Sequence, residues 1–456
     1  MKKILSLTLA LAMTLSLAMP VVAEGLPEDT AAQQEVVQEV ADDAPVETPE
    51  PTEPTEPTET AEPTEQPTEA PTAEPVETPT ETPTETAEPT EKPAPTELPV
   101  EDGDTKRYNA EATNLFYYTI KEDGTCEITG CRENVEGVLE IPSTIDGYTV
   151  TSLGNYALWT QEPTQGISAT KIIMPDTIVS IGEGALSNNS NLTEVVFSEN
   201  LVTIGKSAFS SDRGLISISL PEKLESISGD AFSGCSKLQE IEFNQNLKSI
   251  GGCAFEYCTG LTSLKLPEGL QSIGGSAFRT CRGLKNVIIP DSVTSMGQGV
   301  FAQCYDLQSV KLSQNMDTVP LGTFEQCDLR SVIIPDGVTS IEERAFSQCG
   351  KLAKVKIPGS VKTIGKQAFF NTFSLKEVRI PEGVEVIEYG AFAGCHMESL
   401  ILPVSIKTIG KNAFQDGYPS KKDVYYQGSE SDRAKISIDS TNFDKGVLAS
   451  ATWHYM

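Results

Sequence analysis

The chain has 456 residues, with 65 acidic and 34 basic side chains, a formal net charge of −31, 2 histidines, 2 tryptophans and 10 cysteines. That balance disfavours nucleic acid as a partner, because no clustered Lys and Arg are present to neutralise phosphates. With only His396 and His454, both towards the C-terminal end, most histidine-based catalysis and multi-histidine metal sites lack their raw material.

Lys2 and Lys3 form a positive n-region, Ile4 to Met19 is apolar apart from Ser and Thr, and Val21-Val22-Ala23 places small residues ahead of Glu24. The pattern predicts an export signal over residues 1–23. No other apolar run approaches 18 residues, so no transmembrane segment is expected in the mature chain. Residues 24–104 carry 20 Glu and 5 Asp against one base, Lys92, and therefore hold most of the excess charge. Within them Pro45 to Pro99 is built on Pro-Thr-Glu, as in Pro51-Thr52-Glu53-Pro54-Thr55-Glu56-Pro57. Proline removes backbone donors, regular negative charge repels itself, and apolar side chains are too few to offset the entropy of ordering. This segment is expected to be a disordered acidic spacer, reaching up to roughly 170 Å at about 3.1 Å per residue.

An N-terminal cap is expected over residues 105–153, with strand-like Leu115 to Ile120, a turn at Asp123-Gly124 and the run Tyr148-x-Val150. Over residues 154–418 the chain repeats itself. Ala208-Phe209, Ala231-Phe232, Ala254-Phe255, Ala277-Phe278, Val300-Phe301, Thr323-Phe324, Ala345-Phe346, Ala368-Phe369, Ala391-Phe392 and Ala413-Phe414 recur every 22 or 23 residues. A period in the twenties marks a leucine-rich solenoid, here of about twelve units. Ala157-Leu158 is a degenerate early copy, followed by an insertion around Gln161 to Gly166.

In one unit, Leu261-x-x-Leu264-x-Leu266 is a strand signature, with Leu264 and Leu266 on one side and Ser263 and Lys265 on the other. Pro267 ends that strand, Leu270-x-x-Ile273-Gly274 is a second extended segment, and Ala277-Phe278-x-x-Cys281 reads as one helical turn. A single unit cannot cover its own apolar edges. Stacking builds a continuous parallel sheet with ladders of Leu, Ile, Phe and Cys inside. Residues 419–456, with Val424-Tyr425-Tyr426-Gln427-Gly428 and the ending Trp453-His454-Tyr455, are expected to close the stack. The predicted fold is thus a strand-dominated leucine-rich-repeat solenoid of α/β-type horseshoe or arc, with a parallel concave sheet, short helical turns and terminal caps. Cys327-Asp328-Leu329 and Cys395-His396-Met397 are each one residue short, predicting local kinks without loss of register.

The units Ile289-Pro290-x-x-Val293-x-x-Met296-Gly297-x-x-Val300-Phe301-x-x-Cys304-x-x-Leu307 and Ile357-Pro358-x-x-Val361-x-x-Ile364-Gly365-x-x-Ala368-Phe369 closely resemble the BspA-like, or treponemal-type, leucine-rich repeats of bacterial surface proteins. The resemblance covers roughly residues 109 to 456. It implies a secreted or surface-exposed, non-enzymatic protein, some members of the family being adhesins for host extracellular proteins or other cells. No cell-wall sorting motif accompanies it, so attachment to the cell surface is expected to be non-covalent at most.

Cys235, Cys258, Cys281, Cys304, Cys327, Cys349 and Cys395 each follow their aromatic by three residues, forming one inward ladder. Spacing of 23 residues gives no chelating pair, so the ladder reads as small buried side chains in a tight turn and no metal or other cofactor is expected. On that reading Cys281→Ser should cost more than Cys281→Ala. Cys126 and Cys131, outside the ladder, are candidates for a local disulfide in an exported protein. His396 beside a ladder cysteine suggests no catalysis, since adjacent residues point apart and no base-orienting partner is evident. No catalytic residue is assigned.

The candidate site is the outward face of the strand sheet. Lys265, Ile288, Lys311, Ile333, Lys356 and Arg379 occupy the same outward position in successive units, alternating basic with apolar in a chain that is acidic overall. The same alternation would also serve simply to avoid stacking like charges on neighbouring strands. The expected function is recognition of a protein or glycan on a host cell, neighbouring cell or extracellular matrix. The alternative is a structural or envelope-associated solenoid without a soluble ligand.

Overall fold

The structure, a computed structural model, describes residues 107–108, 113–160, 167–415, 423–444, 447–449 and 451–456. The expected signal segment and acidic spacer, and the insertion at 161–166, lie outside the described residues. Each repeat contributes three sides to the solenoid. A longer strand such as Asn286–Ile288 is followed, after Pro290, by a two-residue strand, Ser295–Met296, and then by a run of turns through Val300-Phe301 to Cys304. Alternation sets the first side: Val287 is buried while Asn286 and Ile288 face outward. Pro290 cannot donate to a ladder and ends the strand.

The longer strands pair in parallel in a succession of short sheets, from Arg107–Tyr108 against Val138–Leu139 to the closing strand Thr452–Tyr455 beside Asp423–Tyr426. The two-residue strands form a second parallel ladder in two pieces: six of them, from Ser180–Ile181 to Ser295–Met296, continue from Tyr148–Leu153, and six more run from Thr318–Val319 to Ser437–Ile438. The gap falls at Pro320, and its cause is chemical. In other units the residue at this place donates its N–H to the preceding unit, as Gly297 does to the carbonyl of Ile273 at 2.8 Å and Gly365 to that of Ile341 at 2.8 Å. Proline has no N–H to give. Glycine recurs at this position because the units approach closely there; a Cβ on Gly274 would come within 2.4 Å of the nitrogen of Gly252.

The leucine-rich solenoid is as expected, but the third side is not built from helical turns. Ser276 and Thr280 have left-handed backbone, with φ of 57° and 61°, on either side of Ala277-Phe278. The N–H groups of Ser276, Phe278 and Thr280 donate to Gln298, Val300 and Ala302 of the next unit at 2.8, 2.9 and 2.8 Å. Those of Ala277, Arg279 and Cys281 instead fold back on Gly274, Ser276 and Phe278, three residues earlier. An α-helix would direct every N–H inward to its own chain. Here every second one bonds the neighbouring unit, and the left-handed residues rotate the chain so that it can. Helices of at least four residues among the described residues occur only in the closing region, at Glu430–Arg433 and Thr441–Asp444. The first of these is held by a capping box between Ser429 and Asp432.

Inside, the phenylalanines form a single stack from Phe209 to Phe414. Ring centroids are 5.0 to 5.9 Å apart and neighbouring planes are within 12° of parallel. Both short units preserve the stack: Phe324 and Phe346 lie 5.5 Å apart, tilted by 12°, and Phe392 and Phe414 lie 5.6 Å apart. At the N-terminal end, Phe116–Ile120 pairs antiparallel with Cys126–Cys131, and the latter strand joins the two-residue ladder through Tyr148–Leu153.

Phe278 is fully buried between rings at 5.4 and 5.5 Å. Replacing it with Ala removes both stacking contacts and leaves a cavity that the rigid ladders cannot close. Denaturant unfolding of Phe278→Ala should show a loss of about 3 to 5 kcal/mol; a near-neutral result would contradict the stacked core.

Candidate functional site

The outward row of the longer strands can be followed residue by residue. Lys265 bridges Ile288 in parallel register, Ile288 pairs with Lys311, Ile333 with Lys356, and Arg379 with Ile401. The backbone thus sets Lys265, Ile288, Lys311, Ile333, Lys356 and Arg379 in one row on one face. Strand alternation turns their buried neighbours, Val287 and Val332 among them, into the core. Ile288 is 60% exposed and Ile333 66%, the most exposed isoleucines among the described residues. Lys265, Lys311, Lys356 and Arg379 make no ion pair among the described residues. By contrast, the Lys171 and Glu194 ammonium and carboxylate, on the N-terminal part of the same face, meet at 2.7 Å.

The row continues past the candidate residues into the closing region, where sequence reasoning did not follow it. Ile401 pairs with Tyr425, and Tyr425 with His454. The Tyr425 and His454 rings stack at 4.7 Å and 18°, and His454 Nε2 lies 2.9 Å from Asp423 Oδ1. Spacing hid them: Tyr425 lies 24 residues beyond Ile401 and His454 another 29, off the repeat period. Alternation within Val424-Tyr425-Tyr426 was the available signal, because Val424 and Tyr426 are buried and Tyr425 lies between them.

The other candidates belong to the architecture. The ladder cysteines are buried, and each sulfhydryl from Cys235 to Cys395 donates to the carbonyl of the phenylalanine one unit back, at 3.1 to 3.3 Å. The position therefore wants a small donor rather than merely a small side chain. Polar occupants of the position donate as well: Asn189 to the Leu158 carbonyl one unit back at 2.9 Å, and Thr372 Oγ1 to the Phe369 carbonyl of its own unit at 2.7 Å. Burial raises the thiols far from the reactive range, Cys304 and Cys349 to about 12. The expected penalty order is accordingly corrected. In thermal unfolding Cys281→Ser, which keeps a donor for the Phe255 carbonyl, should be no more destabilising than Cys281→Ala.

A disulfide between Cys126 and Cys131 is also corrected. They sit at opposite ends of one strand, pairing with Ile120 and Phe116 respectively. Five residues of extended chain separate them by roughly 16 Å, beyond a disulfide's reach. Among the described residues, no group of three or more His, Cys, Asp or Glu side chains is placed to hold a metal ion, and no helix is long and apolar enough to cross a membrane.

Asp212 occupies the ladder position between Asn189 and Cys235 and is fully buried. Its Oδ1 accepts from the Asn189 N–H at 2.7 Å, while Oδ2 has no partner. Desolvation raises its carboxyl well above the ordinary value of 3.8, and the Asn189 N–H offsets this only in part. With the folded pKa raised, stability is fully present below about pH 4 and is lost as pH rises towards the folded value. Asp212→Asn keeps the acceptor and removes the ionisation. It should raise the melting temperature at pH 7 to 8, by a margin that shrinks as the pH falls towards 4. An unchanged margin across that range would show that the carboxyl is not neutral in the fold.

Comparison with known families matches the BspA type leucine rich repeat region, in six copies, over residues 164–259, 230–353 and 339–427, together more than half of the chain. No protein of curated function matches. Among solved structures, a leucine-rich repeat protein from Bacteroides ovatus is 28% identical, covering 75% of this chain and 98% of its own, with a TM-score of 0.52. A leucine rich cell surface protein from Faecalibacterium prausnitzii is 24% identical, covering 76% and 99%, with a TM-score of 0.47.

Proposed function

Because this chain belongs to the BspA-type leucine-rich-repeat family, we propose that it is an exported recognition protein that binds an acidic protein or glycan surface through its long-strand face. Such a partner would lie outside the cell, on a host or neighbouring cell or in extracellular matrix. The observation that carries the reading is the row itself. Ile288 and Ile333 stand exposed between Lys265, Lys311, Lys356 and Arg379, cations without a partner among the described residues. Exposed isoleucine gains free energy only when something covers it, and unpaired cations steer acidic partners. Ile401, Tyr425 and His454 prolong the row with apolar and aromatic surface suited to the body of a peptide or the face of a sugar ring.

Export is supported by Lys2-Lys3, the apolar run that follows and the small residues before Glu24. The test is capture from extracellular-matrix and cell-surface extracts by the full chain, followed by affinity measurement with whatever ligand is captured. Lys311→Glu, Lys356→Glu and Arg379→Glu together should lower affinity by about tenfold or more and flatten its salt dependence, with no loss of fold. Ile288→Ser with Ile333→Ser should weaken binding while leaving that salt dependence in place. If the folded charge-reversed chain keeps full affinity for every ligand, the row is only a solvated sheet face and the protein is better read as a structural solenoid.

A further inference from the structure

We propose that, when no outside ligand is bound, the long-strand face is covered by the same face of a second copy of the chain. The second copy is turned end for end about a two-fold axis that runs along the strands, between Ile288 and Lys311. In this weak dimer Glu240 meets Lys354 of the other copy and Glu242 meets its Lys356. The proposal uses the face described above and stands independently of which ligand that face binds.

The first argument is the order of charge along the face. Both outward positions of the strand Glu240–Glu242 are acidic, and both outward positions of Lys354–Lys356, further along the stack, are basic. All four side chains are exposed, and none makes an ion pair among the described residues. A two-fold axis along the strands reverses their order and keeps their direction, so a strand on one side of the axis faces its counterpart on the other, and every contact is made twice. With the axis between Ile288 and Lys311, the acidic strand of each copy faces the basic strand of the other. Nearer the axis, Lys265 lies over Ile333 and Lys311 over Ile288, so that lysine stems cover the exposed isoleucines while their ammonium groups reach for water. Further out, Val196 faces Ile401 and Ile173 faces Tyr425, and no like charges are opposed at either outward position. The second argument is register. Sliding the second copy by one strand either way sets Lys265 against Lys311 or against Lys356, a repulsive contact that the symmetry makes twice.

The third argument is area, which sets the strength of the complex. From Lys171–Ile173 to Asp423–Tyr425 the face is a strip about 53 Å long, at about 4.8 Å per strand, and about 10 Å wide. That is roughly 500 Å² on each copy, below the roughly 800 Å² per partner of a stable interface. Two chains that each carry a net charge of −31 also repel one another at long range. The dimer is therefore weak, and a tighter acidic ligand displaces the second copy and frees the row.

The test combines sedimentation velocity with zero-length carbodiimide crosslinking of the full chain, which joins a carboxylate to an amine with loss of water, followed by peptide mass spectrometry. Within one chain Glu242 and Lys356 are about 24 Å apart, counting strands at about 4.8 Å, so an amide link between their strands can only join two copies. Links from Glu240 or Glu242 to Lys354 or Lys356 are expected, and their absence overturns the proposal. At roughly 200 µM chain, where an interface of this size is populated, Glu240→Lys with Glu242→Lys should lower the dimer fraction severalfold, and so should Lys354→Glu with Lys356→Glu. The two changes move the net charge in opposite directions, so a general charge effect would weaken the dimer in one and strengthen it in the other. Mixed in equal amounts, the two charge-reversed chains should recover the dimer, because each acidic strand again faces a basic one. A dimer indifferent to both changes, or no recovery on mixing chains that unfold like the parent, would overturn the register. A parent chain that stays monomeric, while its ligand binding still falls with Lys311→Glu and Lys356→Glu, would sink the dimer and leave the proposed function standing. The crosslinked dimer in a protein whose ligand binding ignores those changes would do the reverse.

Discussion

Everything in this solenoid depends on one constraint: each unit must offer its backbone N–H and C=O groups to the units on either side at a repeat of about 5 Å. The long strands and the two-residue strands meet it with parallel ladders. The third side meets it with turns whose alternate N–H groups reach forward to the next unit. Because the spacing is fixed by hydrogen bonding, every other periodic feature inherits it, including the parallel phenylalanine rings and the sulfhydryls that bond the carbonyl one unit back. Inward positions therefore vary little in size, and specificity can be written only on outward ones.

Much of this was legible in the sequence, because the period is long and the core residues are of few kinds. Leu-x-x-Leu-x-Leu, Pro, Ile-Gly and Ala-Phe each name a step of the unit. The third side was misread because Ala277-Phe278-x-x-Cys281 has the spacing of a helical turn, and nothing in Ser276 or Thr280 announces left-handed backbone. Glycine would have signalled it, as Gly299 and Gly390 do at the equivalent place. The cysteine position was seen as small and buried, but its donor role lay in the polar set that shares it, Asn189 and Thr372 beside the thiols.

The candidate row was legible as far as the repeat period holds. It was lost at Tyr425 and His454, where the closing region keeps the strand register but abandons the spacing. Alternation within a strand is the more durable signal, because it follows from backbone geometry and survives an insertion elsewhere in the unit. Asp212 sits at a ladder position and is fully buried, and desolvation raises its carboxyl well above the ordinary carboxylate range.

The missing N–H at Pro320 has a consequence for cooperativity. Phe301 and Phe324 flank that junction, and at 5.9 Å their rings are the most widely separated pair in the stack. In a linear array, stability is approximately a sum of unit terms and nearest-neighbour couplings, so the weakest coupling decides where the array divides. Here the junction keeps its turn-side bonds, such as Phe301 N–H to the Thr323 carbonyl at 2.9 Å, and lacks the two-residue ladder. The protein should therefore behave as two folding blocks joined in series. Under tension or mild denaturant the seam would open first, leaving the block towards the N-terminus and the block from Thr318 onward each still wound.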